Sequence, residues 1–149
     1  MRIIKTICST MVAVLLCSLS FVSFAQTKTP TPRIYHVTTF YVVQGLDSTA
    51  SAERSAVLKE YHDKVTMKND LILHSWSMTH YFSENSHEFV TINEYANWND
   101  IDRAGTRDEE LSKKAWPNSK QRLDFLNKLN SYFSGHKDAI YTGFPNLTK

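Results

Sequence analysis

Ile34-Tyr-His-Val-Thr-Thr-Phe-Tyr-Val-Val43 is the stretch that decides the fold. β-Branched and aromatic residues crowd it, as they do a strand. Alternation puts Ile34, His36, Thr38, Phe40 and Val42 on one side and Tyr35, Val37, Thr39, Tyr41 and Val43 on the other. A strand with one wet face alternates sharply between apolar and polar residues, and here neither side is solvent-like. The segment Leu71 to Phe82 repeats the pattern less fully: Ile72, His74, Trp76, Met78, His80 and Phe82 oppose Leu71, Leu73, Ser75, Ser77, Thr79 and Tyr81. A small sheet with two apolar faces needs a second cover beyond its own helices. The simplest cover is another copy of the chain, packed sheet against sheet across a two-fold axis.

Outward from that strand, Gly45 to Ser51 reads as a loop, and a helix is expected from about Ala52 to Lys68 on the stripe Val57, Leu58, Tyr61 and Val65. After the second strand, Ser83-Glu-Asn-Ser86 supplies hairpin residues and His87 to Tyr95 returns as a third strand. Asn97-Trp-Asn-Asp100 opens a helix carrying Trp98, Ile101, Ala104, Leu111 and Ala115 at helical spacing. Pro117 breaks this helical region. A further stripe of Leu123, Leu126, Leu129 and Phe133 follows, stops near Gly135, and is expected to cover one end of the cleft between helices and sheet. Ala139 to Phe144 reads as a short fourth strand. The order is β-α-β-β-α(α)-β, the split βαβ pattern of an α+β, ferredoxin-like fold with a four-stranded antiparallel sheet. One domain is expected over residues 34–144, with a tail at 145–149.

The chain has 149 residues, with 17 basic side chains against 15 acidic ones. Residues 1–25 read as a cleaved secretory signal: Arg2 and Lys5 precede the apolar run Met11 to Leu16, and Ser23-Phe-Ala25 offers a cut after Ala25. The run is short for a membrane span. Arg2 and Lys5 account for the whole basic excess, so the exported chain is formally neutral, which argues against nucleic-acid binding. Both cysteines, Cys8 and Cys17, leave with the signal, and thiolate chemistry and disulfides leave with them. Bulky Leu16 before Cys17 argues against a lipid anchor. Gln26 to Arg33, with two prolines, reads as an extended leader. The expected location is therefore secreted or periplasmic.

The element order, together with Val90-Thr-Ile-Asn-Glu-Tyr-Ala-Asn-Trp-Asn-Asp-Ile-Asp-Arg-Ala104, resembles the dimeric α+β barrel superfamily, in particular its NIPSNAP-like and antibiotic-biosynthesis-monooxygenase-like small domains. The resemblance implies a homodimer. It names no single activity, because the superfamily includes cofactor-free oxygenases, haem-degrading enzymes, isomerases and cyclases. Its haem-degrading branch usually places Asn on the first strand and Trp and His on the second helix. Here Ile34 to Val43 has no Asn and Asp100 to Ala115 no His.

Candidate chemistry lies in the histidines. His36, His74 and His80 sit in strands and are candidates for a general base or polarising donor in a pocket between sheet and helices. Each is equally at home bonded to a neighbouring strand or at a wet strand end. His74 and His80 are about 20 Å apart along a strand and do not share a metal ion. His62, His87 and His136 read as surface residues. Asp108 falls on the apolar stripe of its helix. It either faces a pocket and orients a histidine, or sits at the rim paired with Arg103 or Arg107, the simpler expectation. Tyr35, Tyr41, Trp76 and Tyr95 are candidate lining for a flat apolar ligand, although such residues more often form the core and dimer interface of a small domain. Trp98 and Trp116 read as helix–sheet anchors. No phosphate loop, HExxH or GxSxG element occurs, and no cofactor is indicated. The reading favoured by the sequence is an exported, non-catalytic binding or interaction module. The alternative is a cofactor-free enzyme acting on a small apolar or aromatic molecule, and the third is haem or metal binding.

Overall fold

A computed structural model describes residues 31–79 and 87–144. The elements are β1 (Ile34–Val42), α1 (Ser48–Lys64), a 3-10 turn (Thr66–Lys68), β2 (His74–Thr79), β3 (Glu88–Tyr95), α2 (Asn99–Ala115), α3 (Ser119–Ser131) and β4 (Phe133–Thr142). The strands form one sheet in the order β2-β3-β1-β4, antiparallel at every pairing. This is the ferredoxin-like α+β arrangement expected from the sequence. His80, Phe82 and the hairpin at 83–86 lie outside the described residues, as do the signal, most of the leader and the tail.

Several boundaries differ from expectation, and α1 ends at Lys64 rather than Lys68, with a 3-10 turn following. Helix α1 starts at Ser48 because Asp47 caps it, its Oδ1 accepting from the Ala50 amide at 2.8 Å. Strand β2 starts at His74, while Leu71 and Ile72 pack against the buried cluster of Ile34, Tyr95 and Ala104. Strand β4 begins at Phe133 rather than Ala139. It is an edge strand with mostly exposed side chains, so no apolar alternation marks it; backbone pairing with β1 defines it.

A second buried cluster joins the helices to one another through Val65, Leu111 and Trp116. Trp116 stacks on Phe125 of α3 at 4.2 Å, so it anchors helix to helix rather than helix to sheet. Trp98 is no anchor, being 56% exposed, and Leu123 is exposed too, off the half-buried stripe of Leu126 and Leu129. Among the described residues no helix is long and apolar enough to cross a membrane.

Strand register assigns the two faces of the sheet. Ile34, His36, Thr38 and Phe40 stand opposite Tyr95, Asn93, Thr91 and Phe89 on β3. Asn93, Thr91 and Phe89 in turn face Ser75, Ser77 and Thr79 on β2. This is the side that the helices cover. The outer side carries Tyr35, Val37 and Tyr41 on β1, Val90 and Ile92 on β3, and Trp76 and Met78 on β2. Trp76 and Met78 are nearly half exposed there. The inversion is clear: the uncovered face is richly apolar, while the covered face has a polar centre.

Candidate functional site

A covered sheet face is normally the apolar one. Here its middle rows are His36, Asn93 and Ser75, then Thr38, Thr91 and Ser77, with apolar residues only at the two ends. These polar residues form the floor of a cavity of about 690 Å³ between sheet and helices. That volume lies in the range of small-molecule sites. Leu58 and Tyr61 of α1, Ile101 and Gly105 of α2, and Leu126 and Leu129 of α3 supply walls. The last helix thus closes part of the cleft, as its stripe implied.

The cavity has two unlike ends. At one, Phe40 lies 4.9 Å from Phe133 and 6.2 Å from Phe89, an aromatic cluster. At the other, Tyr95 and Tyr61 approach Asp108. Phe89 and Tyr95 are six positions apart on β3, roughly 20 Å along the strand, so the cleft is elongated.

Asp108 is half-buried and lines the cavity. It is not paired with Arg103, which bonds Asp100, or with Arg107, which bonds Asp70 and Glu110. The rim expectation fails because both arginines are taken by other acids, Arg103 by the buried Asp100 and Arg107 by the exposed Asp70 and Glu110. The partner of Asp108 is Asn69, buried to 3% exposure. Asn69 Nδ2 donates to Asp108 Oδ1 at 2.7 Å and to the Ala104 carbonyl at 3.0 Å, while its Oδ1 accepts from the Leu71 amide at 3.1 Å. The side chain is fully committed, and it fixes Asp108 in place. Burial raises the Asp108 pKa above the usual carboxylate range, and the Asn69 bond opposes that rise. Burial, reinforced by the Asp108 charge, pushes the Tyr61 hydroxyl up to about 12. Burial also raises Tyr95, against a bond to Asn93. Both phenols therefore stay protonated donors at neutral pH.

The histidines separate. His36 lines the cavity, its Nε2 lying 3.1 Å from Asp138 Oδ1, which also accepts from the Thr38 hydroxyl at 2.8 Å. Partial burial pushes the Asp138 carboxyl up, but Thr38, His36 and His136 together hold it below its ordinary value. His74 projects on the opposite, outer face, where its Nδ1 lies 2.9 Å from Glu94 Oε2 beside Arg33. A common pocket for His36 and His74 is thereby overturned: strand parity puts them on opposite sides of one sheet. His80 lies outside the described residues. His62, read as surface, borders the cavity. Of the four aromatic lining candidates only Tyr95 reaches the cavity; Tyr35, Tyr41 and Trp76 belong to the outer face. Among the described residues no group of three or more His, Cys, Asp or Glu is placed to hold a metal ion.

Sequence reasoning missed Asn69, Gly105 and the polar floor. Ser75 and Ser77 alternating with Trp76 and Met78 were the available signal that β2 has one polar side, and the pairing with β3 sets that side against the helices.

No family model matches the chain, and no curated protein matches it in sequence. Among solved structures it is similar to a NIPSNAP family protein with unknown function from Agrobacterium tumefaciens, at 13% identity and TM-score 0.53, over 79% of this chain and 96% of that one. It is also similar to a mutant of SnoaB, a cofactor-independent oxygenase from Streptomyces nogalater, at 12% identity and TM-score 0.50, over 78% and 98% of the two chains. A conserved protein from Methanosarcina mazei aligns at 13% identity and TM-score 0.50, over 76% and 95%. At such identities the likeness shows the ferredoxin-like fold that the sequence resemblance implied, and the fold alone.

Proposed function

We propose that this chain is an exported domain that binds a small, largely apolar molecule with polar edge groups in the cleft between its sheet and helices. The observation that carries this reading is the polar floor of His36, Thr38, Ser75, Ser77, Thr91 and Asn93 beneath a cavity of about 690 Å³. A core that existed only for stability would fill such a space with apolar side chains. Export rests on the signal-like residues 1–25. Homodimerisation rests on the outer face, where Val37 of β1, Val90 and Ile92 of β3, and Trp76 and Met78 of the edge strand β2 form an apolar surface that a second copy would cover.

The experiment is ligand-observed NMR with a panel of small aromatic alcohols and hydrocarbons, on the wild type and on Thr91→Trp, which fills the floor. Binding by the wild type that Thr91→Trp abolishes, with its melting cooperativity retained, is expected. Equal binding by both proteins, or by neither, refutes the proposal. The catalytic alternative draws support from Asp108, a carboxylate in the cavity whose pKa burial raises.

A further inference from the structure

Asp108 has one oxygen tied to Asn69, and no protein group among the described residues bonds the other. It lines the cavity together with Gly105, three residues earlier on the same helical face. Gly105 is exposed, and a Cβ built on it meets nothing within 4 Å, so it borders open space on the lining that it shares with Asp108. A side chain much larger than alanine at this position would occupy that space. Tyr61 and Tyr95 line the same cavity, and burial keeps both phenols protonated at physiological pH. A carboxylate with one oxygen that no described residue bonds, two phenols and an apolar channel leading to the Phe40, Phe89 and Phe133 cluster form a polarised site.

We propose that Asp108 is the hydrogen-bond acceptor for an acidic hydroxyl on the molecule in this cavity, with Gly105 leaving room for the ring that bears it. This rests on the cavity reading above and adds a ligand class, an apolar ring carrying an acidic O–H. The Asp108 oxygen accepts the O–H, and any proton shift moves the charge from carboxylate to ligand oxyanion, leaving the total unchanged. The two tyrosine hydroxyls then donate to that oxygen. Asn69 is the positioning residue, acting only through Asp108.

The test uses 2-naphthol, whose hydroxyl becomes a strong acid on excitation, and 2-methoxynaphthalene, which has the same ring and no donor. Wild-type protein is expected to bind 2-naphthol about tenfold more tightly than the ether, the scale of one hydrogen bond to a charged group. The bound naphthol should emit from its deprotonated form. Asp108→Asn should bind both compounds alike, with emission shifted toward neutral naphthol. Gly105→Leu, which favours the helix but fills the space, should lose both compounds while melting at or above the wild-type temperature. Equal wild-type binding of the two probes, or naphtholate emission unchanged in Asp108→Asn, overturns the assignment and leaves the cavity reading standing. Failure of the wild type to bind either probe overturns both.

Discussion

Replacing Asn69 with alanine should be among the most destabilising single changes in this protein. The side chain is almost wholly buried and joins three elements: the Leu71 amide after the 3-10 turn, the Ala104 carbonyl and the Asp108 carboxylate of α2. Truncation leaves the Leu71 N–H and the Asp108 carboxylate without these partners, at about 1–3 kcal/mol for each group left unsatisfied. The Ala104 carbonyl loses a secondary bond worth less. A total of about 3 kcal/mol is expected against a domain stability of roughly 5–15 kcal/mol. At this size that lowers Tm by about 10–15 °C, measured by calorimetry or circular dichroism at pH 7. Asn69→Asp separates electrostatics from shape. It keeps an acceptor for Leu71 but sets a second carboxylate against Asp108, so its deficit should shrink as pH falls and the pair shares a proton. If Asn69→Ala melts within about 2 °C of wild type, these bonds contribute nothing net and the rigid placement of Asp108 fails with them.

The raised pKa of Asp108 means that the folded state disfavours its charged form, a cost absent below the ordinary carboxylate value of 3.8 and growing as pH rises through the folded value. Asp108→Asn should therefore stabilise the protein at pH 7, with the gain vanishing toward pH 3 in parallel urea titrations. A constant gain at all pH values would contradict the shift. Ser112 is buried, and its Oγ has no hydrogen-bond partner among the described residues. Ser112→Ala in this helix should stabilise by about 1 kcal/mol in chemical denaturation, and a loss of stability would reveal a partner for the hydroxyl. On the outer sheet face, the double variant Val37→Glu and Ile92→Lys should convert a dimer to monomers by light scattering while the far-ultraviolet spectrum is retained. A dimer that survives both charges would place the interface elsewhere.

Much of the fold was legible in the chain. Strand texture in Ile34 to Val43, the helical stripes and the break at Pro117 are local signals, and their order sufficed for the ferredoxin-like α+β topology. The apolar outer face was legible too, in the Tyr35, Val37 and Tyr41 side of the first strand and in Trp76 and Met78 of the second. Local pattern could not tell which side faced the helices. Parity groups His74 with Trp76 and Met78, but only the pairing of β2 with β3, and of β3 with β1, puts that group opposite His36. The fourth strand shows the same limit, since Phe133 to Asp138 is held by backbone bonds to β1 that leave no imprint on side-chain pattern. The site depends on tertiary structure still more. Asn69 and Asp108 are 39 residues apart and meet only because the turn after α1 packs on α2. Composition and period are properties of neighbours in sequence, whereas a cavity is set by which faces meet and how incompletely they fill the space between them.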